Sequence, residues 1–422
     1  MANAFSKEER VAFEDLLAGF QDALVLSRNV SVYNTDQTMM ERTNNVIWRP
    51  QPYIAVSYNG TDMTGNFDDY TQLSVPATIG FQKSVPWIMS ATEMRDALQE
   101  GRLGDAAKQK LASDINVAVL TVAGQQGTLV VKRSSAASGF EDVALVEALM
   151  NEQGVPMEDR YLALSTRDYN GMANDLSKAS RSFGNEISDN ALRRAFVGQL
   201  ASFGTYKLDY AQRKAAAAGA GITINTTAGG GNYYTPKATS TSATGETSNV
   251  DNRFQTVTVN STTSVAVGDS FTIANVNNVH MITKEDTGQP KTFRVIAVPS
   301  ATTLVISPPL IPAQAGVDST QQYQNCKITS TSATANVTFL NSGAAYLNCF
   351  WHRDALELLP GRYAVPSDAG AAVMRASTDQ GIELVMTKQY DINTMKTKYR
   401  LDCLYGVVCK QPEMAGILIF NP

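Results

Sequence analysis

The feature that most constrains the fold is a break in composition at about residue 221. From there to about residue 340, Thr, Ser, Asn, Val and Ala dominate, charges are sparse and no stretch keeps a helical period. Gln255, Val257 and Val259 alternate as half-buried strands do, as do Phe271 with Ile273 and Leu304 with Ile306. Gly268-Asp269, Thr287-Gly288, Val298-Pro299 and Pro308-Pro309 punctuate them. Short strands at this spacing predict a small antiparallel barrel or sandwich. Its core should come from Phe254, Val257, Val259, Phe271, Ile273, Phe293, Val295, Leu304, Ile306 and Phe339. Composition changes at both ends, so the block is expected to be an autonomous domain inserted into another fold. Residues 235–249 are polar and of low complexity, which reads as a long mobile loop.

The flanking sequence is different. Residues 6–26 read as an amphipathic helix: Ser6 with Glu9 makes a capping-box pattern, and Phe13, Leu16, Leu17, Phe20 and Leu24 share a stripe. That stripe packs either on its own domain or on a neighbouring subunit. From residue 47 to 87, Pro50, Pro52, Pro76 and Pro86 exclude a long helix, and Asn59-Gly60 marks a hairpin tip between short apolar runs. An excursion with so few core residues needs something to lie against. Residues 105–123 carry Leu111, Ile115, Val119 and Val122 at helical spacing, ended by Gly124 and Gly127. Helices are also expected over 141–152, 168–178 and 189–197, with 209–218, bearing four alanines, closing this half. β-rich runs around 401–408 and 417–420 end the chain.

At 422 residues, two or three domains are expected. The net charge of −5 and the absence of a basic arm exclude broad gripping of nucleic acid through phosphates. No apolar signal core opens the chain and no run approaches the roughly 18 apolar residues of a membrane span. It is therefore expected to work in the cytoplasm where it is made, away from membranes. There Cys326, Cys349, Cys403 and Cys409 would stay thiols. The Asn-x-Ser/Thr triplets starting at Asn29, Asn59, Asn225, Asn260 and Asn336 read as chance matches.

Recognisable chemistry is missing. His280 and His352 lie far apart, and no zincin, P-loop, nucleophile-elbow or paired C-x-x-C motif occurs. Gly229-Gly230-Gly231 precedes Asn232-Tyr233 in a loop, where no helix N-terminus would receive a phosphate. Cys403 and Cys409 read as packed apolar residues on one strand face rather than ligands. Lys132-Arg133 and Arg193-Arg194 read as solvated faces. Asp68-Asp69 sits in polar surroundings that would not raise a pKa. No catalytic residue, cofactor or metal is expected.

Three stretches resemble the coat-protein family of lambdoid short-tailed DNA phages. Asn44-Asn45-Val46-Ile47-Trp48-Arg49-Pro50 is similar to that family's segment before a long hairpin. Val250-Asp251-Asn252-Arg253-Phe254, with Thr256-Val257-Thr258 and Gly268-Asp269, resembles the opening strands of its extra domain. Asn348-Cys349-Phe350-Trp351, Asp354-Ala355, Leu404-Tyr405-Gly406-Val407 and Pro412-Glu413 complete the match. Val197-Gly198-Gln199-Leu200 with Phe203 also looks like a segment common in tailed-phage capsid proteins. The resemblance spans nearly the whole chain in order.

It implies an α+β shell fold shared by tailed phages and herpesviruses, with an inserted antiparallel β-barrel. In this sequence the parts would be an N-terminal arm helix (1–30) and a first core part (31–220). The hairpin would lie at about 47–87 and the spine helix at about 105–123. The inserted domain (221–340) and a second core part (341–422) would follow. It also implies self-assembly into hexamers and pentamers of an icosahedral shell, with a scaffolding protein and a portal. Double-stranded DNA would lie inside without specific binding, with assembly in the host cytoplasm and the product in the virion. Candidate inter-subunit contacts are Phe13, Leu17, Phe20, Trp48, Tyr58, Asn59, Glu246 and Asp251. Relatives carry a more charged inserted loop that ties capsomers by ion pairs. Residues 235–252 offer only Lys237, Glu246 and Asp251, which weakens that tie.

A carbohydrate- or cell-surface-binding protein is the alternative from another class. Such a module usually clusters aromatics for sugar stacking, and Tyr233-Tyr234 is the one pair in the β-rich block.

Overall fold

A computed structural model describes residues 7–33, 46–52, 54–64, 67, 70–90, 97–179, 198–226, 232–330, 334–364 and 371–420. The fold is α+β. Two compact units emerge, one from Met1–Ile47, Ala77–Leu120 and Glu357–Val408, the other from Trp48–Pro76, Thr121–Leu356 and Cys409–Pro422.

In the first unit a sheet runs in the order Ser31–Val32, Leu356–Pro360, Lys396–Cys409, Glu383–Asp391, Ala372–Ser377, and Phe81–Ser90 also pairs with Lys396–Cys409. That last pairing holds an unbroken antiparallel register from Lys396↔Ser90 to Tyr405↔Phe81. Directly opposed rings reinforce it: Trp87 stacks on Tyr399 at 5.5 Å and Phe81 on Tyr405 at 5.4 Å. The expected hairpin of 47–87 therefore ends early, because residues from Phe81 onward belong to this sheet. A Cβ at Gly406 would stand 2.4 Å from the Thr78 carbonyl, so the close backbone approach requires glycine there.

The helix Lys7–Ala23 belongs to the same unit. Phe13, Leu16, Phe20 and Leu24 are buried, and Leu16 reaches Gly104 on the helix Ala97–Gln126. Glu9 receives an ion pair from Lys388 and a 3.2 Å hydrogen bond from the Tyr399 hydroxyl. The long helix extends the expected 105–123 segment by about two turns in the N-terminal direction, with Leu111, Ile115 and Val119 buried as the spacing predicts.

The second unit centres on a six-stranded sheet in the order Leu129–Arg133, Ala415–Phe420, Asn348–His352, Arg160–Ser165, Phe203–Leu208, Gln199–Leu200. Every residue of Asn348–His352 is buried, as a central strand demands. The Asn348 side chain pins three elements: its Oδ1 accepts from Ser165 N, and its Nδ2 donates to Asp168 Oδ2 and to Leu418 O. The helix Phe140–Gln153 starts where Asp142 Oδ2 accepts the Ser138 and Gly139 amides. It stops at Gly154, whose φ of +83° provides the left-handed cap. The helix Thr166–Ala179 matches expectation, whereas the expected helix at 189–197 lies outside the described residues.

Residues 209–218 are not helical. Arg213–Lys214 pairs with Ala345–Tyr346, Ala217 N donates to Asn341 O, and Asn341 Nδ2 donates to Ala215 O. Alanine's helix preference is a few tenths of a kcal/mol per residue, and these sequence-distant partners outweigh it.

The β-rich block is the expected barrel. Its strands run Thr223–Ile224, Ala335–Phe339, Ser270–Val279, Asp286–Ser300, Thr303–Ser307, Gln255–Thr258, and Cys326–Ile328 joins Ser270–Val279. An Ile224↔Val259 bridge and the Asn260 N to Thr223 O hydrogen bond join the two ends, so the sheet closes. Nine of the ten expected core side chains are in or against one apolar cluster, with Phe271 stacked on Phe293 at 5.6 Å. Phe254 is the exception. It is half-buried and lies under the Arg253 guanidinium at 4.9 Å, outside the cluster.

Residues 235–249 are not a structureless loop. Thr239–Thr241 pairs with Thr247–Asn249 in an exposed hairpin. Asn252 anchors its base, accepting from Lys237 N and the Tyr234 hydroxyl and donating to Lys237 O and Val250 O. A single asparagine filling four bonds holds a polar ribbon that has no core of its own.

Candidate assembly surfaces

Within the second unit the barrel is fixed by buried charge. Lys291, 3% exposed, pairs with Glu413 at 2.5 Å, and Thr292 Oγ1 donates to Thr128 O. The Arg294 guanidinium, 1% exposed, donates to Gly124 O, and burial lowers its pKa to about 10. Arg253 grips Asp251 with two bonds of 2.9 and 2.6 Å and donates to Cys409 O. Lys284 donates to Gln324 O, and burial depresses its pKa to about 8 against the pull of Glu413. Lys291, Thr292, Arg294 and Arg253 thereby seat the barrel on the rest of its own unit, and Lys284 braces the barrel internally. They are contacts within the subunit, not offered to a partner.

The excursion of the second unit, residues 48–76, presents the opposite picture. Its base is held: Val46–Pro50 pairs with Ser74–Thr78, Tyr323 donates from its hydroxyl to Thr71 O, and Thr71 N donates to Gln322 Oε1. Leu73 packs with Ile311 and Tyr323. Beyond that base, none of the described residues from 54 to 72 is buried. Phe67 is 89% exposed and Tyr70 53% exposed, with Tyr58 and Asn59 also open to solvent.

The candidate contacts therefore divide. Trp48, Tyr58, Asn59 and Glu246 lie on the surface, Glu246 at the turn of the 239–249 hairpin. Phe13 and Phe20 do not: at 5% and 0% exposure they belong to their own unit's core, and Leu17 is half-buried beside them. The stripe found its partner on its own chain. Among the described residues of that helix, Val11 is the large hydrophobic that faces outward, 58% exposed. Asp251 is also withdrawn, because Arg253 holds both its oxygens. Sequence reasoning missed Phe67 and Tyr70. The signal was available: lone aromatics in a Gly-, Asn- and Asp-rich stretch have no local core to enter.

Among the described residues no group of three or more His, Cys, Asp or Glu could hold a metal. His280 Nδ1 accepts the Ile282 and Thr283 amides, and His352 Nδ1 accepts the Asp354 amide, so each ring serves a turn. All four thiols are buried and pushed up to about 12, which keeps them unreactive. Among the described residues, no helix is long and apolar enough to cross a membrane.

A barrel seated on its unit by buried charge, together with an excursion whose aromatic rings stay exposed, fits a subunit built for assembly. The coat-protein class consists of such subunits. The family model described as P22 coat protein, gene protein 5, matches residues 1–421, and the chain belongs to that family. It is a phage coat protein that forms the shell, and its place is the virion. Among solved structures, the CUS-3 coat protein I-domain is 39% identical over 28% of this chain and 95% of that one, with a TM-score of 0.21. The capsid of Cyanophage P-SCSP1u is 12% identical over 93% and 85%, at 0.43. The mature capsid of bacteriophage PhiM1 is 9% identical over 93% and 86%, at 0.44.

Proposed function

We propose that the coat subunit assembles by laying its excursion, residues 54–72, against a neighbouring copy. The observation that carries this reading is Phe67 at 89% exposure, flanked by exposed Tyr58 and Tyr70. Exposed aromatics carried on one segment mark an interaction surface, and each gains a few kcal/mol at most when covered. Weak contacts repeated around hexamers and pentamers allow misplaced subunits to leave before the shell closes. A scaffolding partner and a portal set curvature and entry, and assembly takes place in the host cytoplasm. The net charge of −5 fits a wall that surrounds double-stranded DNA without binding it specifically.

The barrel, residues 221–340, is an autonomously folding insertion in this reading. Its Glu246 hairpin lies free to meet a neighbouring capsomer, at about 1 kcal/mol or less per exposed ion pair. No catalytic step is assigned to the chain. Electron microscopy of the purified chain, alone and with a scaffolding partner, tests the reading. Closed shells or their open fragments are expected, and a discrete small species under both conditions would refute it.

A further inference from the structure

The sequence holds two Asn-Gly dipeptides, Asn59-Gly60 and Asn170-Gly171. Both asparagine side chains are exposed, but their backbones differ. Asn170 lies inside the helix Thr166–Ala179, and its Oδ1 accepts from Lys207 Nζ at 2.9 Å. A Cβ on Gly171 would stand 2.7 Å from Ala137 O, so that backbone is closely packed. Asn59 lies in the excursion outside any helix or strand, and its amide hydrogen-bonds to none of the described residues. Gly60 has a φ of +112° and nothing within 4 Å of where a Cβ would be.

We propose that Asn59-Gly60 is a self-modification site, converting to aspartate and isoaspartate in the folded, unassembled subunit. The Gly60 amide nitrogen gives its proton to solvent base and attacks Asn59 Cγ. The N–Cγ bond forms, the Cγ–Nδ2 bond breaks and ammonia leaves with a proton. Water then opens the succinimide ring at either carbonyl. The net reaction is amide plus water to carboxylate plus ammonium, with no redox change. Glycine removes the steric barrier to ring closure, and an open loop lets the backbone reach the required twist. The same dipeptide at Asn170 is held near the helical ψ of about −42° with the Gly171 N–H engaged in the helix, which blocks attack. The product adds one negative charge, and in the isoaspartate form one backbone methylene, at the excursion tip.

The test incubates the full chain, kept unassembled by dilution, at neutral pH and maps both peptides by mass spectrometry over time. Asn59 should convert at least about tenfold faster than Asn170 in the folded chain, a barrier difference of about 1.4 kcal/mol or more. In urea the two rates should converge, which shows that the backbone made the difference. An Asn59→Gln chain, which loses no side-chain contact, should stop acquiring the acidic isoform. Equal rates at the two sites in the folded chain, or an acidic isoform undiminished in Asn59→Gln, would overturn the proposal.

Discussion

Between Ile222 and Phe339 the chain gathers a continuous apolar cluster inside a closed sheet, whereas between residues 54 and 72 no described residue is buried. Both regions are rich in small polar residues and turn formers, and among their described residues there is no helix of more than about one turn. The difference lies in alternation. In the barrel every second residue is apolar over several strands, so closing the sheet buries one face completely. In the excursion the aromatics Tyr58, Phe67 and Tyr70 come singly, outside any apolar alternation, and their rings stay exposed in the subunit. Stability resides in the first region, and the proposed function places the capacity to assemble in the second.

That contrast can be broken by mutation. Phe293→Ala removes a fully buried ring from the stack with Phe271 and should cost about 3–5 kcal/mol in urea denaturation. A cost under about 1 kcal/mol would mean the barrel core is not closely packed.

A pH series sharpens the account of the charge buried in the barrel. Lys284 titrates at about 8 when folded and at 10.5 in its ordinary state, so the unfolded chain holds the proton more tightly. The penalty is complete below pH 8 and is relieved as pH rises toward 10.5, so stability should increase across that window by at most about 3 kcal/mol. Lys284→Met should be the more stable protein at neutral pH and should lack this rise relative to wild type. Parallel pH curves for the two chains would show that the amine is well solvated.

The excursion should respond in the opposite sense. Phe67→Ala and Tyr70→Ala should change subunit stability by less than about 0.5 kcal/mol while sharply reducing particle yield by sedimentation. Destabilisation comparable to Phe293→Ala would place these rings in a core. The smallest effect concerns Asn59: its conversion should slow at least about tenfold on assembly, about 1.4 kcal/mol in barrier. Unchanged kinetics in shells would leave the tip outside the interface.

How legible these regions were in the sequence follows from the range of the interactions involved. The barrel strands, the long helix and the helix ending at Gly154 announce themselves through local periodicity and capping. The non-helical Ala215–Ala218 run could not, because its partners stand at Asn341 in the sequence-distant second half. The 239–249 hairpin was hidden for a similar reason: Asn252 organises it through four bonds, and no periodic pattern encodes them. Trp87 and Phe81 read as hairpin residues until Tyr399 and Tyr405, more than three hundred positions away, supply the opposing rings. The helix stripe was read correctly as a stripe, but periodicity does not say which surface it faces. Phe13 and Phe20 chose their own unit, and the exposed rings of the excursion are the better candidates for contact.

Hydrogen exchange of residues 54–72, compared between free subunit and assembled shell, tests the central claim most directly. The barrel core strands should be protected in both states, since their bonds close within one chain. Amides from 54 to 70, whose described residues form no strand or helix in the subunit, should exchange rapidly when free and become protected in the shell. Equal, rapid exchange of this segment in both states would contradict the claim that a neighbouring copy completes the subunit there.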